Sequence, residues 1–529
     1  MSFYLNKKYD KFVSYYNDNI FVDKSMLLSI TNSNLNVERK KYMCVTRPRR
    51  FGKSMALSML NAYYSKGCES SNIFDELKIS KDPSYLTHLN KHNVIYIDMF
   101  SIYTTVKNKN DFFKELVTNF LDDINEAYPN VLKDIDNTIG KAIIRINSRL
   151  NERFIFLIDE WDVIYREKGN DKKLCEEYTD FLRNLFKSAD ISSCIDLVYM
   201  TGILPIKRYS TESSMNMFKE YNMLDAGELY SYYGFTEEET RNLCTKYNRN
   251  FNEIKQWYNG YKLNGVDIYN PKSVVDSICS GSCKDYWVQT SATEGVVKYM
   301  RYDHGVLKDT IIKMLSGENI FVEVNDFQND LTQINSKDSA LVVLVHLGYL
   351  AYIPTDVLGK GYCYIPNYEI RCEFKQAFRT LKWKDIYNPI FNSDALYEET
   401  LKGNTKFINE TFDKNHLDLA GPFNKNKEDV LGIIVQISYY RTKEFYNIKK
   451  EDTSTLGRAD LTFIPYDNTH IPLIVELKVN STPTEAISQI KSKEYYNSLG
   501  EYHGDVLLLG ISYNDKTLKH DSKIEIIKL

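Results

Sequence analysis

The sequence is poor in the residues that mark fibrous, low-complexity and secreted proteins. Glycine (23) and proline (12) are scarce among 529 residues, which excludes a collagen-like or linker-like chain. The nine cysteines lie between Cys44 and Cys372 without paired spacing, which indicates reduced thiols rather than a disulfide framework. Cys279 and Cys283 are close in sequence, but no second pair completes a zinc site, so we interpret them as structural.

Long hydrophobic runs and an excess of one charge are also absent. The longest apolar run, Ala340 to Pro354, is shorter than the roughly 20 residues of a bilayer span, and we interpret it as a buried helix. The N-terminus shows no secretory leader, so we expect an intracellular protein, cytoplasmic or nuclear, without a membrane partner. The net charge of −4 excludes a protein that coats a polyanion through overall positive charge.

The length exceeds one ordinary core and predicts several domains. In the first part, apolar strands alternate with helical patterns, which predicts an α/β fold: a mostly parallel sheet with helices on both faces. These predicted strands are Tyr42 to Thr46, Val94 to Asp98, Phe154 to Ile158 and Asp196 to Met200. A mainly helical pattern follows, and then a smaller α/β unit. We therefore predict three regions, at residues 1–275, 276–400 and 401–529.

A phosphate-binding loop is indicated between the first predicted strand and the helix that follows it. The segment from Arg47 to Ser54 reads RPRRFGKS. Gly52 permits close backbone approach, Lys53 supplies an ammonium for the β- and γ-phosphates, and Ser54 supplies a hydroxyl for Mg²⁺. Arg47 stands where the first glycine of G-x-x-x-x-G-K-[ST] is usual, so the loop alone is a weak signal.

A strand that ends in two acids strengthens the prediction of a nucleotide site. The third predicted strand runs into Asp159, a candidate Mg²⁺ ligand, and Glu160, a candidate base for the attacking water, although apolar strands often end in an acid. Thr201, at the end of the next strand, is either a sensor near the γ-phosphate or satisfies its own turn. Arg49 and Arg50 either contact phosphate or are solvated loop charges.

Five motifs together resemble the AAA-ATPase-like family. They are FVDKS at residues 21–25, RPRRFGKS at 47–54, LIDEWD at 157–162, TGIL at 201–204 and WYNGY at 257–261. In that family the loop typically lacks its first glycine, as here, whereas Trp161 stands where tyrosine is usual. The resemblance implies an ASCE-type P-loop fold with ATP rather than GTP as cofactor. Because AAA-type enzymes often complete a site with a neighbour's arginine, a homo-oligomer is one option, with Arg183 and Arg208 as guesses.

A second constellation lies in the last hundred residues. Asp460 opens a predicted strand, and Glu476 and Lys478, two apart on the next strand, share a face. Two carboxylates can hold Mg²⁺ against a scissile phosphate, and the lysine can orient water or neutralise the transition state. The alternative is a surface strand with solvated charges. The rest of the strand is apolar, however, and buried charges are costly unless they are paired or metal-bound.

Flanking residues extend this constellation into a family resemblance. Glu428, on the preceding predicted helix, could add a metal ligand, and Gln489, on the following helix, could contact the water or the phosphate. With Tyr495, these positions resemble the PD-(D/E)xK nuclease superfamily, with Ala459 in place of the proline of its name. The resemblance implies a restriction-endonuclease-like fold that uses Mg²⁺, or Mn²⁺ as a substitute.

Together, the two sites predict an ATP-binding and ATP-hydrolysing protein with a metal-dependent nuclease domain. The expected partner is nucleic acid, with DNA favoured over RNA, and ATP could control its access. Residues 401–529 contain 17 basic and 18 acidic residues, so binding needs a local basic rim, for which Lys491 and Lys493 are candidates. The alternatives are a nucleotide-driven signalling or defence module with a toxin-like effector, and a non-catalytic nucleic-acid-binding protein that retains both folds.

Overall fold

The computed structural model describes residues 2–206, 215–287, 292–300, 306–325, 334, 336–419, 427–450, 459–467, 469–500 and 502–529. The chain forms two compact units. Unit 1 comprises Met1–Trp287 and Phe321–Glu369, and unit 2 comprises Val288–Ile320 and Ile370–Leu529. The segment predicted as a helical middle therefore contributes to both units. The three-region division itself stays a prediction.

Unit 1 is built around a parallel sheet whose strands follow the order β2-β3-β4-β1-β5. The strands are β1 (Tyr42–Thr46), β2 (Asn93–Asp98), β3 (Phe154–Asp159), β4 (Ile195–Gly202) and β5 (Lys219–Tyr221). The predicted parallel α/β fold is confirmed, and the first four strands lie where the sequence predicted them. The sequence analysis missed β5, a strand of three residues.

Helices cover both faces of this sheet, because the strands are apolar on both sides. The helices are α1 (Asp10–Tyr16), α2 (Leu27–Asn34), α3 (Lys53–Tyr64), α4 (Ser71–Phe74), α5 (Tyr85–His88), α6 (Met99–Thr105), α7 (Phe112–Ala127), α8 (Ile139–Leu150), α9 (Val163–Lys168), α10 (Lys172–Phe186) and α11 (Ala189–Ser193). Met43 and Val45 pack in the core with α1 to α5, whereas Tyr42 and Cys44 pack in the core with α6 to α11. The helix α3 starts at Lys53, within the predicted phosphate-loop segment.

The following segment is mainly helical, as predicted, and it also contains short strands. It contains β6 (Phe235–Thr236), α12 (Glu237–Lys246), α13 (Phe251–Tyr258), β7 (Tyr261–Leu263), β8 (Val266–Tyr269), α14 (Pro271–Ser280), α15 (Ala292–Met300), α16 (Val306–Ser316), β9 (Ile320–Glu323), α17 (Lys337–Leu347), β10 (Ala351–Pro354) and β11 (Lys360–Tyr364). The helices α15 and α16 belong to unit 2. The apolar run predicted as one helix breaks at Gly348 (φ +88°) and continues as β10.

Unit 2 carries a mixed sheet in the order β12-β13-β14-β15-β16, in which only β14 and β15 pair in parallel. Its remaining elements are α18 (Tyr368–Leu381), α19 (Lys384–Phe391), α20 (Ser393–Leu401), α21 (Thr405–Leu419), α22 (Lys427–Ser438), β12 (Tyr446–Lys450), β13 (Leu461–Pro465), β14 (Leu473–Val479), α23 (Pro483–Ser492), β15 (Asp505–Asn514) and β16 (Lys519–Lys528). The smaller α/β unit is thus confirmed. The strands β12 and β16, in which a larger share of the residues is charged than in the inner strands, were not predicted.

Short 3₁₀ helices complete the fold, at Lys78–Lys81, Lys109–Asp111, Gly227–Leu229, Tyr440–Glu444 and Tyr495–Leu499. Each of the nine cysteines is a free thiol. In the described ranges, no helix combines the length and the apolar character that a membrane span requires.

Candidate functional site

The predicted phosphate loop lies at the carboxyl edge of the parallel sheet, where the ends of β1, β4 and β3 meet. Thr46 at the end of β1 pairs with Gly202 at the end of β4. Gly52 has φ +87°, a left-handed conformation that strains other residues, and it turns the chain into α3. The N-terminus of a helix presents free N–H groups and a positive dipole end, so this edge suits an anion.

Lys53, the first residue of α3, is buried inside the loop. Its Nζ donates to the carbonyl oxygens of Arg47 (3.0 Å) and Pro48 (2.8 Å). Burial lowers the pKa of the Lys53 ammonium, while the carboxylates that follow β3 oppose this shift. The ammonium is therefore held across the loop and faces the predicted acids. Ser54, the next residue, is half-buried.

The side chain of Arg47 explains how the loop dispenses with its first glycine. Its Nη1 donates to the carbonyl oxygens of Thr46 and Tyr221, both at 2.8 Å, and the guanidinium lies 5.5 Å from the centroid of the Tyr233 ring. Burial lowers the pKa of Arg47 to about 10. Because this side chain joins β1 to β5, a large residue is accommodated at the start of the loop.

The two other arginines of the loop differ from each other. Arg49 is exposed, as in the interpretation of a solvated charge. Arg50 is half-buried, and its Nη1 donates to the carbonyl oxygen of Tyr286 at 3.0 Å. In this structure Arg50 therefore contacts main chain, which neither of the two alternatives from the sequence had considered.

The acids after β3 lie beside Thr201 on β4. Asp159 is buried, and its Oδ1 accepts hydrogen bonds from Thr201 Oγ1 (2.7 Å) and from the Glu160 amide (3.0 Å). The Thr201 hydroxyl is thus bonded to the candidate magnesium ligand rather than to its own turn. The structure brings Lys53, Asp159, Glu160 and Thr201 to one edge of the sheet.

Arg166, on α9, is a site residue that the sequence analysis missed. It forms ion pairs with Glu160 and, through Nε, with Asp162 Oδ2 at 3.1 Å. The fully buried Asp162 also accepts the amides of Ile203 (3.1 Å) and Leu204 (2.8 Å), which gives a role to an acid whose role the sequence left open. The spacing of Asp162 and Arg166, four residues apart at a helix start, was the available signal.

Burial also acts on the candidate base. It raises the pKa of Glu160, and the positive charges of Arg166 and Lys53 oppose this shift. The side chain of Glu160 is 25% exposed to solvent, whereas that of Asp162 is fully buried. Of the two acids that contact Arg166, Glu160 is therefore the one that solvent can reach.

An apolar cavity of about 200 Å³ adjoins the loop in unit 1. Its apolar lining includes Ile20, Val22, Phe51, Met55, Tyr232 and Phe235. The FVDKS motif forms part of this wall, and its Lys24 Nζ bonds Glu239 Oε2 at 2.6 Å. The sequence analysis did not predict this cavity, because its lining comes from segments about 200 residues apart.

In unit 2, strand pairing brings together the three central residues of the second constellation. Asp460 lies directly before β13, and its Oδ2 accepts the amide of Leu477 on β14 at 2.6 Å. Glu476 is 2% exposed, and its Oε1 accepts Lys478 Nζ at 2.8 Å. The other oxygen, Oε2, is buried and has no hydrogen-bond partner among the described residues.

These contacts leave negative charge at the site. Burial, the larger cause, and the Asp460 carboxylate together raise the pKa of Glu476 to about 7, although the Lys478 ammonium opposes both effects. A buried carboxylate oxygen without a partner is costly, and a divalent cation removes that cost. The two carboxylates of Asp460 and Glu476 therefore fit Mg²⁺, which prefers a few carboxylates and retains waters.

The described ranges show no cluster of three histidine, cysteine or acidic side chains that could hold a metal ion. Asp460 and Glu476 thus form a pair of acids. Glu428, the third predicted ligand, is the second residue of α22, and its side chain lies outside the described residues.

The helix α23 packs against the sheet at Gly510 on β15, which pairs with Glu476. A Cβ at Gly510 would lie 2.4 Å from the carbonyl oxygen of Pro483, so only glycine permits this approach. Gln489 lies on this helix, and its Nε2 donates to Tyr495 Oη at 3.0 Å. The structure therefore places Gln489 beside Tyr495, two positions that both belong to the resemblance.

The candidate basic residues are mostly engaged elsewhere or outside the description. Lys491 forms an ion pair with Glu525, whereas Lys493 is exposed. Of the two guesses for an arginine contributed to a neighbour, Arg183 pairs with Asp180 at 2.7 Å and Arg208 lies outside the described residues. Lys493 is therefore the better candidate for a basic rim.

Two family models match the segments that carry the two candidate sites. Residues 9–211 match the family model described as a predicted AAA-ATPase, and residues 427–523 match that of the PD-(D/E)XK nuclease superfamily. The chain carries domains of both families. The AAA-ATPase-like match includes the phosphate loop, Asp159 and Thr201, and the nuclease match includes every predicted residue of the second constellation.

One relative matches along nearly the whole chain. A protein of Azotobacter chroococcum mcd 1, named "Uncharacterized protein in vnfD 5'region", is 21% identical over 506 residues, which cover 90% of each chain. Among solved structures, the ORC1 protein of Aeropyrum pernix in complex with DNA is 10% identical, covers 71% of this chain and 98% of its own, and has a TM-score of 0.26. The ORC2 protein of Aeropyrum pernix (ADPNP-ADP complexes) is 10% identical, covers 70% and 98%, and has a TM-score of 0.31. Similarity at these TM-scores carries no argument about a site.

Proposed function

We propose that the AAA-ATPase-like domain binds and hydrolyses MgATP, and that the nuclease-superfamily domain cleaves nucleic acid with Mg²⁺. The observation that carries the proposal is Glu476, whose second oxygen is buried without a hydrogen-bond partner among the described residues. It shares its strand with Lys478 and lies beside Asp460. A solvated surface strand, the alternative from the sequence, would not bury Glu476 to 2% exposure.

In the nucleotide site, Lys53 would exchange its carbonyl partners for the β- and γ-phosphates, which approach the N-terminus of α3. Ser54 and Asp159 would hold the Mg²⁺ that accompanies ATP, with Thr201 orienting Asp159. Glu160 would accept the proton of the attacking water. The exposed Arg49 could reach phosphate, while Arg50 holds the loop.

The apolar cavity beside the loop would receive the base of the nucleotide. Phe51 and Gly52 line it and also belong to the phosphate loop, so base and phosphates would occupy adjoining spaces. An apolar lining of aromatic and aliphatic side chains suits a flat heterocycle.

In the nuclease site, Asp460 and Glu476 would hold Mg²⁺, with Glu428 as a further ligand. A bound Mg²⁺ stabilises charge that develops on the scissile phosphate and lowers the pKa of a coordinated water. Lys478 would orient the attacking water or neutralise the transition state. Gln489, held by Tyr495, would position water or phosphate.

A route for ATP to control cleavage starts at the loop. Arg50 bonds the carbonyl oxygen of Tyr286, and Phe51 packs edge-on against Tyr261, with ring centroids 5.4 Å apart. Tyr261 in turn donates to the carbonyl oxygen of Gly348 at 2.6 Å. The WYNGY motif and the segment around Tyr286 therefore contact the residues that nucleotide binding would reposition.

The buried Glu369 extends this route to the ends of unit 1. Its Oε1 accepts the amides of Tyr286 and Trp287 (each 3.0 Å), and Ser273 Oγ lies 2.9 Å from both of its oxygens. Trp287 and Glu369 are the residues at which the chain leaves unit 1 for unit 2. The Glu369 side chain thus links the two positions, Trp287 and Glu369, at which the chain leaves unit 1. The neighbouring Tyr286 is also bonded to Arg50 of the phosphate loop.

The partner in this proposal is nucleic acid, with DNA favoured over RNA. Contacts to phosphate position a nucleic acid without reading its sequence, and Lys493 is an exposed cation on the motif segment that could make such a contact. Assembly as a homo-oligomer belongs to the proposal only as a way to supply an arginine to the nucleotide site.

The test is cleavage of single- and double-stranded DNA and RNA with Mg²⁺ or Mn²⁺, with and without ATP. Glu476→Ala should reduce cleavage by about 10³-fold or more, because it removes a metal ligand. Glu494→Gln, which changes an exposed acid two residues beyond α23, should cleave like the wild type. Wild-type cleavage by Glu476→Ala would contradict the nuclease assignment, and the same rate with and without ATP would contradict control by ATP.

A further inference from the structure

A buried arginine accompanies the candidate base of the nucleotide site. The Arg166 side chain is 9% exposed and lies in the last turn of the short helix α9. It contacts Glu160 through Nη2 and Asp162 through Nε, so two different nitrogens of one guanidinium hold two acids. We propose that Arg166 is the positioning residue for Glu160 in ATP hydrolysis; the inference rests on the proposed ATPase function.

The second acid fixes the guanidinium in space. Asp162 has no exposed side-chain surface, and its Oδ2 accepts the amides of Ile203 and Leu204 in addition to Arg166 Nε. These amides directly follow the end of β4. The plane of the guanidinium is thereby set by the edge of the sheet, because a planar fork that is bound at one nitrogen has few orientations left.

The first acid needs such support. Glu160 has φ +53°, a left-handed backbone conformation that is uncommon outside glycine and asparagine and persists where the surroundings fix it. Its amide bonds Asp159 Oδ1, and its carboxylate bonds Arg166. Glu160 is therefore held at both ends, and its carboxylate stays at the edge that also carries Asp159 and Thr201.

This arrangement predicts that Arg166 acts through Glu160 and not on nucleotide affinity. Arg166→Ala should lower kcat for ATP hydrolysis by about 10- to 100-fold, a part of what a positioned base contributes. The Kd of the non-hydrolysable analogue AMP-PNP should stay within about 3-fold of the wild type. Arg166→Lys should recover only part of kcat, because an ammonium lacks the fork that joins two acids.

A double-mutant cycle separates positioning from a general structural role. In a Glu160→Gln background, Arg166→Ala should have little further effect on kcat, since the residue it positions is already altered. Arg145→Ala, which removes an arginine that pairs with Asp136 elsewhere in unit 1, should leave kcat unchanged. Losses in kcat that add in the double variant, or an equal loss of AMP-PNP affinity, would overturn the proposal.

A second readout does not depend on hydrolysis. Thermal unfolding of the same four proteins without nucleotide should show non-additive changes in Tm for Arg166→Ala and Glu160→Gln, because the two side chains are in contact. Additive changes would show that the contact contributes nothing and would overturn the inference. If the wild type binds AMP-PNP but does not hydrolyse ATP, the proposed ATPase function is wrong. The positioning role in hydrolysis is then wrong too, even if the changes in Tm are non-additive and show that Arg166 and Glu160 interact.

Discussion

The two candidate sites compensate their charges in different ways. In the nucleotide site each acid has a partner: Thr201 bonds Asp159, and Arg166 bonds both Glu160 and Asp162. In the nuclease site, Lys478 bonds one oxygen of Glu476, and the other oxygen has no hydrogen-bond partner in the described part of the chain. Both sites have one acid more than bases, so they differ in hydrogen bonding rather than in net charge. The acids of the first site accept more hydrogen bonds from the protein, although Asp162 Oδ1 also has no partner in the described part of the chain.

This difference predicts how much each site must rearrange when it binds its ligand. The hydrogen bonds of the nucleotide site have to rearrange before a triphosphate can enter, because Lys53 must give up the carbonyl oxygens of Arg47 and Pro48. An uncompensated carboxylate instead binds a cation without losing an existing bond. We therefore expect nucleotide binding to be coupled to movement of the loop, and metal binding to be local.

The largest effect is expected from the lysine of the nuclease site. Lys478→Ala should lower cleavage by about 10³-fold, because it removes the cation beside Glu476 and leaves two acids near the scissile phosphate. Initial rates on labelled DNA in Mg²⁺ measure this. Lys491→Ala, which removes a lysine already paired with Glu525, should change the rate by less than about 3-fold, since exposed pairs contribute little. A wild-type rate for Lys478→Ala would remove the lysine from the mechanism.

The next effect is expected at the phosphate loop. Lys53→Ala should weaken ATP binding by about 100-fold, because it removes the buried cation that faces the phosphates. Fluorescence titration with a labelled ATP analogue measures the Kd. Lys81→Ala, an exposed lysine of unit 1, is the matched control and should bind like the wild type. Equal affinities for Lys53→Ala and the wild type would mean that the nucleotide binds elsewhere.

Glu369 offers a test of coupling between the sites. Glu369→Ala should reduce any change in cleavage that ATP produces to less than about one half, because the amides of Tyr286 and Trp287 lose their partner. Cleavage without ATP and the Kd for ATP should stay near wild type. Glu369→Gln retains an oxygen for these amides and an NH₂ group for Ser273, so it should preserve the response. A full response in Glu369→Ala would rule out this route.

The smallest effect concerns pH and the same carboxyl group. Burial raises the pKa of Glu369 to about 8, well above the ordinary 4.5, so the folded state keeps a proton that the unfolded state loses. The contribution of this proton to the free energy of unfolding is complete below pH 4.5. It is lost as the pH rises to about 8, at a rate of at most about 1.4 kcal/mol per pH unit. The Tm of the wild type relative to Glu369→Gln should therefore fall between pH 5 and 8. A constant difference in Tm would contradict the shifted pKa.

The sequence predicts a site residue best where its interaction partners are close to it along the chain. Glu476 and Lys478 are two residues apart on one strand, and strand alternation alone places them on one face. Asp460 required only the pairing of β13 with β14. The strand that carries Asp159 was likewise predicted from its apolar run, although the position of β4 between β3 and β1 was not.

The residues that the sequence did not predict are held by distant contacts. Glu369 bonds Tyr286, which is 83 residues away in the sequence, and Arg50 bonds Tyr286 over a separation of 236 residues. The role of Arg166 depends on Asp162 meeting the amides after β4, about 40 residues away. Such contacts follow from the packing of whole elements, and no local pattern of residue types predicts them.

The most direct test of the metal site at Glu476 is a titration of Mn²⁺ into the protein without nucleotide or nucleic acid, followed by electron paramagnetic resonance. At pH 8, above the pKa of about 7 for Glu476, the carboxylate is ionised and can bind the ion. We expect a Mn²⁺ site in the wild type and in Lys53→Ala that is lost in Glu476→Gln. Wild-type Mn²⁺ binding by Glu476→Gln would contradict the claim that the uncompensated carboxylate holds the metal.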